Sequence, residues 1–144
     1  MKKRTTTGPE AEGLRPRLTA LRHALLKLHK TLVDSERVGY EKVMGKIPSP
    51  NHFLQLLTND PWFAWLRPLS QLVVAMDEAL DADEPLTAAK VDALIEQTKV
   101  MLVATETSEG FPGHYYAAMQ RDPDVVLMHG EVARLLRPPK LSGC

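Results

Sequence analysis

The residues best suited to binding chemistry lie in two short aromatic segments of this 144-residue sequence. Trp62 and Trp65 stand close to Arg67, and His114 and Tyr115 follow a loop-like stretch over residues 105–113. Tryptophan and tyrosine combine a large apolar body with a polar tip, and arginine and histidine add charge or a hydrogen-bond donor. If the two segments meet at one end of the fold, these five side chains form a half-apolar, half-polar site for a ligand or a partner.

The alternative is that Trp62, Trp65 and Tyr115 are large core residues that close one end of the fold. The sequence favours this interpretation over a site. The two differ in their consequences, because a site predicts that Trp65→Ala abolishes binding more than it destabilises the fold. A core residue predicts equal loss of both.

Metal binding and nucleophilic catalysis find little support in the sequence. A carboxylate-bridged di-iron bundle needs Glu-x-x-His on two helices, and no histidine here follows an acidic residue by three positions. The sequence has no Gly-x-Ser-x-Gly motif and no glycine-rich phosphate loop, and its one cysteine is the last residue, Cys144. We therefore expect no metal and no cofactor, and we lean against enzymatic activity.

The net charge is zero, but basic and acidic residues are unevenly distributed along the sequence. Residues 1–46 carry eleven Lys/Arg against five Asp/Glu, whereas residues 47–120 carry three against ten. This asymmetry could indicate nucleic-acid binding. However, the cations of the first helix are spread around its polar face, and no recognition helix stands out. We expect instead that a basic first helix lies beside acidic middle helices, within one chain or between two copies, and that nucleic acid is not the partner.

The sequence also predicts where the protein resides. It has no run of about eighteen apolar residues, so no membrane span is expected. The basic start, Met1 to Arg4, lacks the apolar stretch of a secretory signal. A single cysteine permits no internal disulfide, which is typical of a reducing compartment. We therefore expect a cytoplasmic protein.

Apolar residues recur with the period of a helix in several segments. Six leucines follow steps of four and three residues and predict one long helix from about Arg15 to Met44: Leu14, Leu18, Leu21, Leu25, Leu28 and Leu32. Gly45 and Pro48 then stop that helix. A second helix is expected to begin at Asp60-Pro61, and Pro68 inside it should kink or split it between residues 64 and 69.

The remaining segments complete an all-helical chain. A short helical turn is expected over residues 50–57, a third helix from Pro85 and Thr87 onward, and a helix-turn-helix over 114–136 with a start at Asp122-Pro123. No segment alternates with the period of a strand. We predict an all-α fold, a bundle of four main helices with a long first and a Pro-kinked second helix. Its domain would span residues 14–137, between a flexible arm at 1–13 and a loose tail at 138–144.

Two stretches carry a resemblance to known sequences. The segments Asn59–Ser70 and Arg121–Leu127 resemble those of small all-helical proteins from bacterial genomes, and the similarity extends from about Leu18 to Leu136. No activity, cofactor or catalytic residue is assigned to those proteins. The resemblance therefore implies a bacterial helical protein and no particular function.

Together these observations favour a non-catalytic interaction or regulatory module. It could self-associate through part of the leucine stripe, or bind another protein. The competing hypothesis is a small-molecule-binding protein or enzyme whose pocket is lined by Trp62, Trp65, His114 and Tyr115.

Overall fold

The computed structural model describes residues 9–105 and 110–137, and these residues form helices and no strand. The predicted tail 138–144, the first eight residues of the predicted arm and residues 106–109 of the predicted loop lie outside the described residues. The elements in chain order are α1 Pro9–Met44, α2 Pro50–Asn59, a 3-10 segment Pro61–Leu66, α3 Arg67–Asp81, α4 Ala88–Met101, α5 Phe111–Arg121 and α6 Pro123–Leu136. The all-α prediction is confirmed.

The helix α1 forms because its leucine stripe is buried along its length. All six leucines of the stripe are buried in one core with residues of the 3-10 segment and of α3 to α6. The helix begins at Pro9 rather than at the predicted Arg15. Proline is favoured in the first turn of a helix, where its missing N–H costs nothing, so part of the predicted arm is helical. The leucines are buried within the chain, so the leucine stripe offers no surface for the predicted self-association.

The end of α1 follows the local chemistry of the sequence. Gly45 adopts a positive φ of 100°, and its N–H donates to the carbonyl of Glu41 at 3.1 Å. This is the helix termination that glycine favours, because it has no Cβ to clash in the left-handed region. The predicted end at Met44 is confirmed.

The leucine stripe of α1 gives way to two buried polar residues, Ser35 and Glu36. Arg121, at the end of α5, reaches both of them. Its Nε donates to Ser35 Oγ at 3.0 Å and its Nη2 to the Glu36 carboxylate at 2.6 Å. One guanidinium thus satisfies two buried polar groups and fastens the end of α5 to the middle of α1.

Two Asp-Pro pairs join helices without intervening loops. The backbone N–H of Asp60 donates to the Leu56 carbonyl and closes α2, while its carboxylate accepts from Trp62 N at 2.8 Å and opens the 3-10 segment. Asp122 likewise ends α5 with its N–H and opens α6 by accepting from Asp124 N at 2.9 Å. Each aspartate therefore caps two helices at once.

Pro68 divides the predicted second helix. The chain is 3-10 up to Leu66 and α-helical from Arg67, so the break lies inside the predicted interval of residues 64–69. The helix α3 runs antiparallel to α1. This direction follows because Arg22 pairs with Asp77 late in α3, whereas Tyr40 contacts Trp62 just before it. Among the described residues, Arg22 is the cation that pairs with the acidic end of α3.

The helix α4 begins at Ala88 and is capped by Thr87, whose Oγ1 accepts from Lys90 N at 3.1 Å. It buries one face: Val91, Leu94, Ile95 and Thr98. The next helix, α5, begins at Phe111 rather than at the predicted His114, because Pro112 occupies its first turn. Within the described ranges, no helix is both long and apolar enough to span a bilayer.

Candidate functional site

Aromatic rings from the 3-10 segment, α5 and α6 pack in one row. Trp65 stacks on His114, with ring centroids 5.2 Å apart and planes inclined by 15°. Trp65 also contacts Phe111, with ring centroids 5.3 Å apart, and Phe111 contacts Tyr115 at 5.3 Å. The row continues to His129 of α6, whose ring lies 5.5 Å from Tyr115. The starts of the predicted second and fourth helices therefore meet.

A hydrogen bond of 2.7 Å joins Tyr115 Oη to His129 Nδ1. Burial raises the pKa of Tyr115 above its usual range, so its hydroxyl keeps its proton and can donate. Burial also lowers the pKa of His129, which favours the neutral imidazole. A neutral ring that accepts at Nδ1 carries its proton on Nε2. With Tyr115 as the donor, His129 has an N–H on the side that faces away from Tyr115.

Trp62, a predicted site residue, belongs to a different aromatic group. Its ring meets Tyr40 edge-on at 5.4 Å and lies beside Gly39, where an added Cβ would be 3.8 Å from the ring. Phe63 contacts both Tyr40 and Phe53, at 5.5 and 5.7 Å. This group packs α2 and the 3-10 segment against the end of α1. Trp62 therefore has a packing role there.

The Arg67 side chain belongs to neither aromatic group. It is exposed and donates to the carbonyl of Thr58 at 2.8 Å, near the C-terminal end of α2. It also borders a cavity of about 270 Å³ that includes His29 and Ser70. The candidate site named from the sequence thus divides into three parts, and only Trp65, His114 and Tyr115 lie together.

Within the remaining trio the degree of burial separates core from surface. Trp65 is 8% exposed and Tyr115 fully buried, whereas His114 is exposed. The buried indole Nε1 atoms of Trp62 and Trp65 find no acceptor among the described residues. Two large side chains of the row therefore serve as core, as the alternative interpretation expects. Places for a ligand lie beside the row, on either side of α4.

The first such place is a groove of about 670 Å³ between α4 and the start of α5. Five of its lining residues repeat with helical spacing along α4, and two come from α5: Ala93, Glu96, Gln97, Val100, Met101, Phe111 and Pro112. This set lies on the side of α4 opposite its core-facing residues. Val100 is 67% exposed, and the groove is mainly apolar. The helix therefore carries apolar residues on two faces.

The second place is a cavity of about 290 Å³ between α4 and α6, which we call the basic cavity. Three nitrogen-bearing side chains and three apolar ones line it: Lys99, His129, Arg137, Leu102, Ala133 and Leu136. None of the described residues that line it is a carboxylate. His129 connects it directly to the hydrogen bond with Tyr115.

Metal chemistry requires several ligands close together. Over residues 9–105 and 110–137 no three His, Cys, Asp or Glu side chains cluster as ligands of one ion. The chain matches no family model, no curated protein and no solved structure. Its resemblance to small helical bacterial proteins therefore stays a prediction.

Sequence reasoning left two residues of the aromatic row out of the candidate site. Phe111 stood in the predicted aromatic segment, and its spacing of four residues from Tyr115 on one helix could have added it to the site. His129 offered no such signal. It lies on a separate helix, and only the packing of α6 brings it to Tyr115.

Proposed function

We propose that this protein is a non-catalytic interaction module that self-associates through the groove between α4 and α5. The observation that carries the proposal is the second apolar face of α4. A helix at a protein surface usually buries one stripe and exposes polar residues on the other side. Here Ala93, Val100 and Met101 occupy the outer side, beside Phe111 and Pro112. Contiguous exposed apolar residues of this kind mark interaction surfaces.

The shape of the groove supports a helix as its occupant. Its α4 wall has residues at positions i, i+3, i+4, i+7 and i+8, which is the row that a second helix meets in ridges-into-grooves packing. Phe111 and Pro112 form the other wall. Val103, just beyond the end of α4, is also exposed.

The sequence of α4 supports a second copy as that helix. A two-fold axis near Gln97 would pair two α4 helices antiparallel and place Ala93 opposite Met101 of the second copy, small against large. Glu96 would then lie within reach of Lys99 of the second copy. Such a contact is self-complementary in volume and in charge, as a two-fold interface requires.

Sedimentation at several protein concentrations tests the proposal. The wild-type sedimentation coefficient should rise with concentration. Val100→Asp should stay monomeric, because it places a charge in the apolar contact. Val74→Asp is the matched control, since Val74 is 52% exposed on α3 and lies outside the groove. Circular dichroism checks that both variants are folded.

A charge exchange makes the test specific to the antiparallel arrangement. Glu96→Lys and Lys99→Glu should each weaken self-association, and the double variant should restore it. A wild-type chain that stays monomeric at every concentration would overturn the proposal. So would equal behaviour of the Val100→Asp and Val74→Asp variants.

Small-molecule binding is the second candidate function. The basic cavity favours it more than the surface around Trp62 does, because Trp62 and Trp65 contribute to packing. A thermal-shift screen against metabolites and metal ions tests this candidate. A clear shift with a metabolite, for a chain that is monomeric at all concentrations, would rank it first.

Three further expectations, on the helical bundle, the cellular location and the origin of the protein, belong to the same proposal. We propose that α1, α3, α4 and α6 are the main helices of a four-helix bundle, and their contribution to one shared core supports this. A cytoplasmic location is supported by the single cysteine, which allows no internal disulfide. A bacterial origin is supported by the resemblance of the Asn59–Ser70 and Arg121–Leu127 segments.

A further inference from the structure

Three side chains with N–H donors border the basic cavity between α4 and α6. Lys99 comes from α4, His129 from α6, and Arg137 directly follows α6. Lys99 and Arg137 are exposed, and among the described residues the cavity lining contains no carboxylate that would compete for them with an anionic ligand. Within the described ranges neither Lys99 nor Arg137 forms a salt bridge, whereas Arg134, one turn before Arg137, pairs with Glu131 at 3.0 Å.

The orientation of His129 adds a third donor of defined geometry. Tyr115 Oη lies 2.7 Å from His129 Nδ1, and the buried phenol keeps its proton. When this phenol donates to Nδ1, the imidazole proton resides on Nε2. The hydrogen bond holds the ring plane of His129 before any ligand arrives, which lowers the ordering cost of binding.

The rest of the cavity is apolar. Leu102, Ala133 and Leu136 form its hydrocarbon part. The volume of about 290 Å³ is at the lower end of the range for small-molecule sites. A ligand of matching chemistry has one anionic group for the donors and a compact apolar body for the hydrocarbon part.

We propose that the basic cavity binds a small monocarboxylate with an apolar body, held by Lys99, His129 and Arg137. A carboxylate has two oxygens that accept a bidentate contact from the Arg137 guanidinium, together with contacts from the other two donors. The apolar body contacts Leu102 and Leu136. Inorganic phosphate would satisfy the donors but leave the hydrocarbon part unfilled, so it should bind more weakly. Among the described residues none lines both this cavity and the proposed self-association groove, but Lys99 is common to the two proposals, since it borders the cavity and would reach Glu96 of a second copy.

The test is a titration of the full chain with benzoate, followed by ¹H–¹⁵N correlation spectra. Benzamide serves as the neutral probe of nearly the same shape, and inorganic phosphate as the anion without an apolar body. Benzoate should shift the amide signals of residues around 99–102 and 129–137 and bind at least about tenfold more tightly than either control probe, as expected for charge-assisted hydrogen bonds.

Two variants of the same residue type make the result specific. Arg137→Gln should weaken benzoate binding by about tenfold, whereas Arg134→Gln should leave it unchanged, because Arg134 lies outside the cavity lining. Ala133→Leu should also reduce binding by filling the cavity. The spectra themselves report whether each variant is folded.

Several outcomes would overturn the proposal. Benzoate and benzamide could bind equally, which would mean that the cations contribute nothing. Phosphate could bind as tightly as benzoate, which would exclude the proposed class of ligand. Equal effects of Arg137→Gln and Arg134→Gln, or signal changes confined to other parts of the chain, would exclude the basic cavity as the site.

Discussion

Replacing Arg121 by methionine should destabilise the fold, and by more than the same replacement of Arg134. The Arg121 guanidinium donates to Ser35 at 3.0 Å and to Glu36 at 2.6 Å. The side chain of Glu36 is only 11% exposed, whereas that of Arg121 is 42% exposed. Methionine keeps the apolar stem but removes both donors. The Glu36 carboxylate then stays at the helix interface without its cation.

The magnitude follows from the burial of the partner that remains. Breaking a fully buried ion pair costs about 3–5 kcal/mol, and a hydrogen bond to a charged group contributes about 1.5–3 kcal/mol. Water reaches the exposed side of this pair, so hydration of the Glu36 carboxylate offsets part of the lost interaction energy. We therefore expect the free energy of unfolding to fall by about 2–3 kcal/mol. For a chain of this length that corresponds to a decrease in Tm of about 5–10 °C.

Urea unfolding followed by far-UV circular dichroism measures the effect, and Arg134→Met is the matched control. Arg134 pairs with Glu131 at 3.0 Å, but both side chains are more than half exposed. Its loss should cost about 0.5 kcal/mol or less. In a Glu36→Gln background the Arg121→Met change should cost less than in the wild type. The reasoning is refuted if both arginine variants lose the same stability, or if Glu36→Gln leaves the cost of Arg121→Met unchanged.

Three further predictions concern packing and pH. Tyr115→Phe removes the donor to His129 Nδ1 and should lower the free energy of unfolding by about 1–2 kcal/mol in the same urea assay. Burial lowers the pKa of His129, so the unfolded chain takes up a proton more readily than the folded one. Stability should therefore be lost as pH falls below about 6.5, and His129→Gln should reduce that loss in unfolding curves measured between about pH 7 and 5. Gly39→Ala should stabilise α1 by about 0.5–1 kcal/mol, because the new Cβ would lie 3.8 Å from the Trp62 ring, an ordinary contact distance.

Each of these predictions has a clear contrary result. A Tyr115→Phe variant as stable as the wild type would show that the hydroxyl contributes nothing to the fold. An unchanged pH profile in His129→Gln would leave His29, whose pKa burial also lowers, as the source of acid sensitivity. A destabilised Gly39→Ala variant would mean that Trp62 needs more room than the structure gives it.

The parts of the fold that the sequence predicted are those fixed by local chemistry. Gly45 ends α1, Pro68 divides the second predicted helix, and Asp60 and Asp122 each open a helix, because every one of these effects depends on a few neighbouring residues. The sequence also predicted which face of α1 is buried, because the period of the leucines identifies that face.

The parts that sequence reasoning missed depend on which helix faces which. Arg121 and Glu36 are 85 residues apart, and nothing in either segment signals the other. Likewise Trp62 and Trp65 are near neighbours in sequence, yet one contacts Tyr40 of α1 and the other contacts α5. Local patterns therefore found the aromatic residues but could not divide them between two groups.

The two Asp-Pro junctions restrict how this chain can vary in length. Because Asp122 caps α5 and α6 at once, one residue inserted there would rotate α6 by about 100° relative to α5. Val125 and Val132, both buried, would then leave the core. The connection between α3 and α4, residues 82–87, has no such double cap and only exposed or half-buried side chains. Tags and domain insertions should accordingly be accepted between α3 and α4 and rejected at either aspartate.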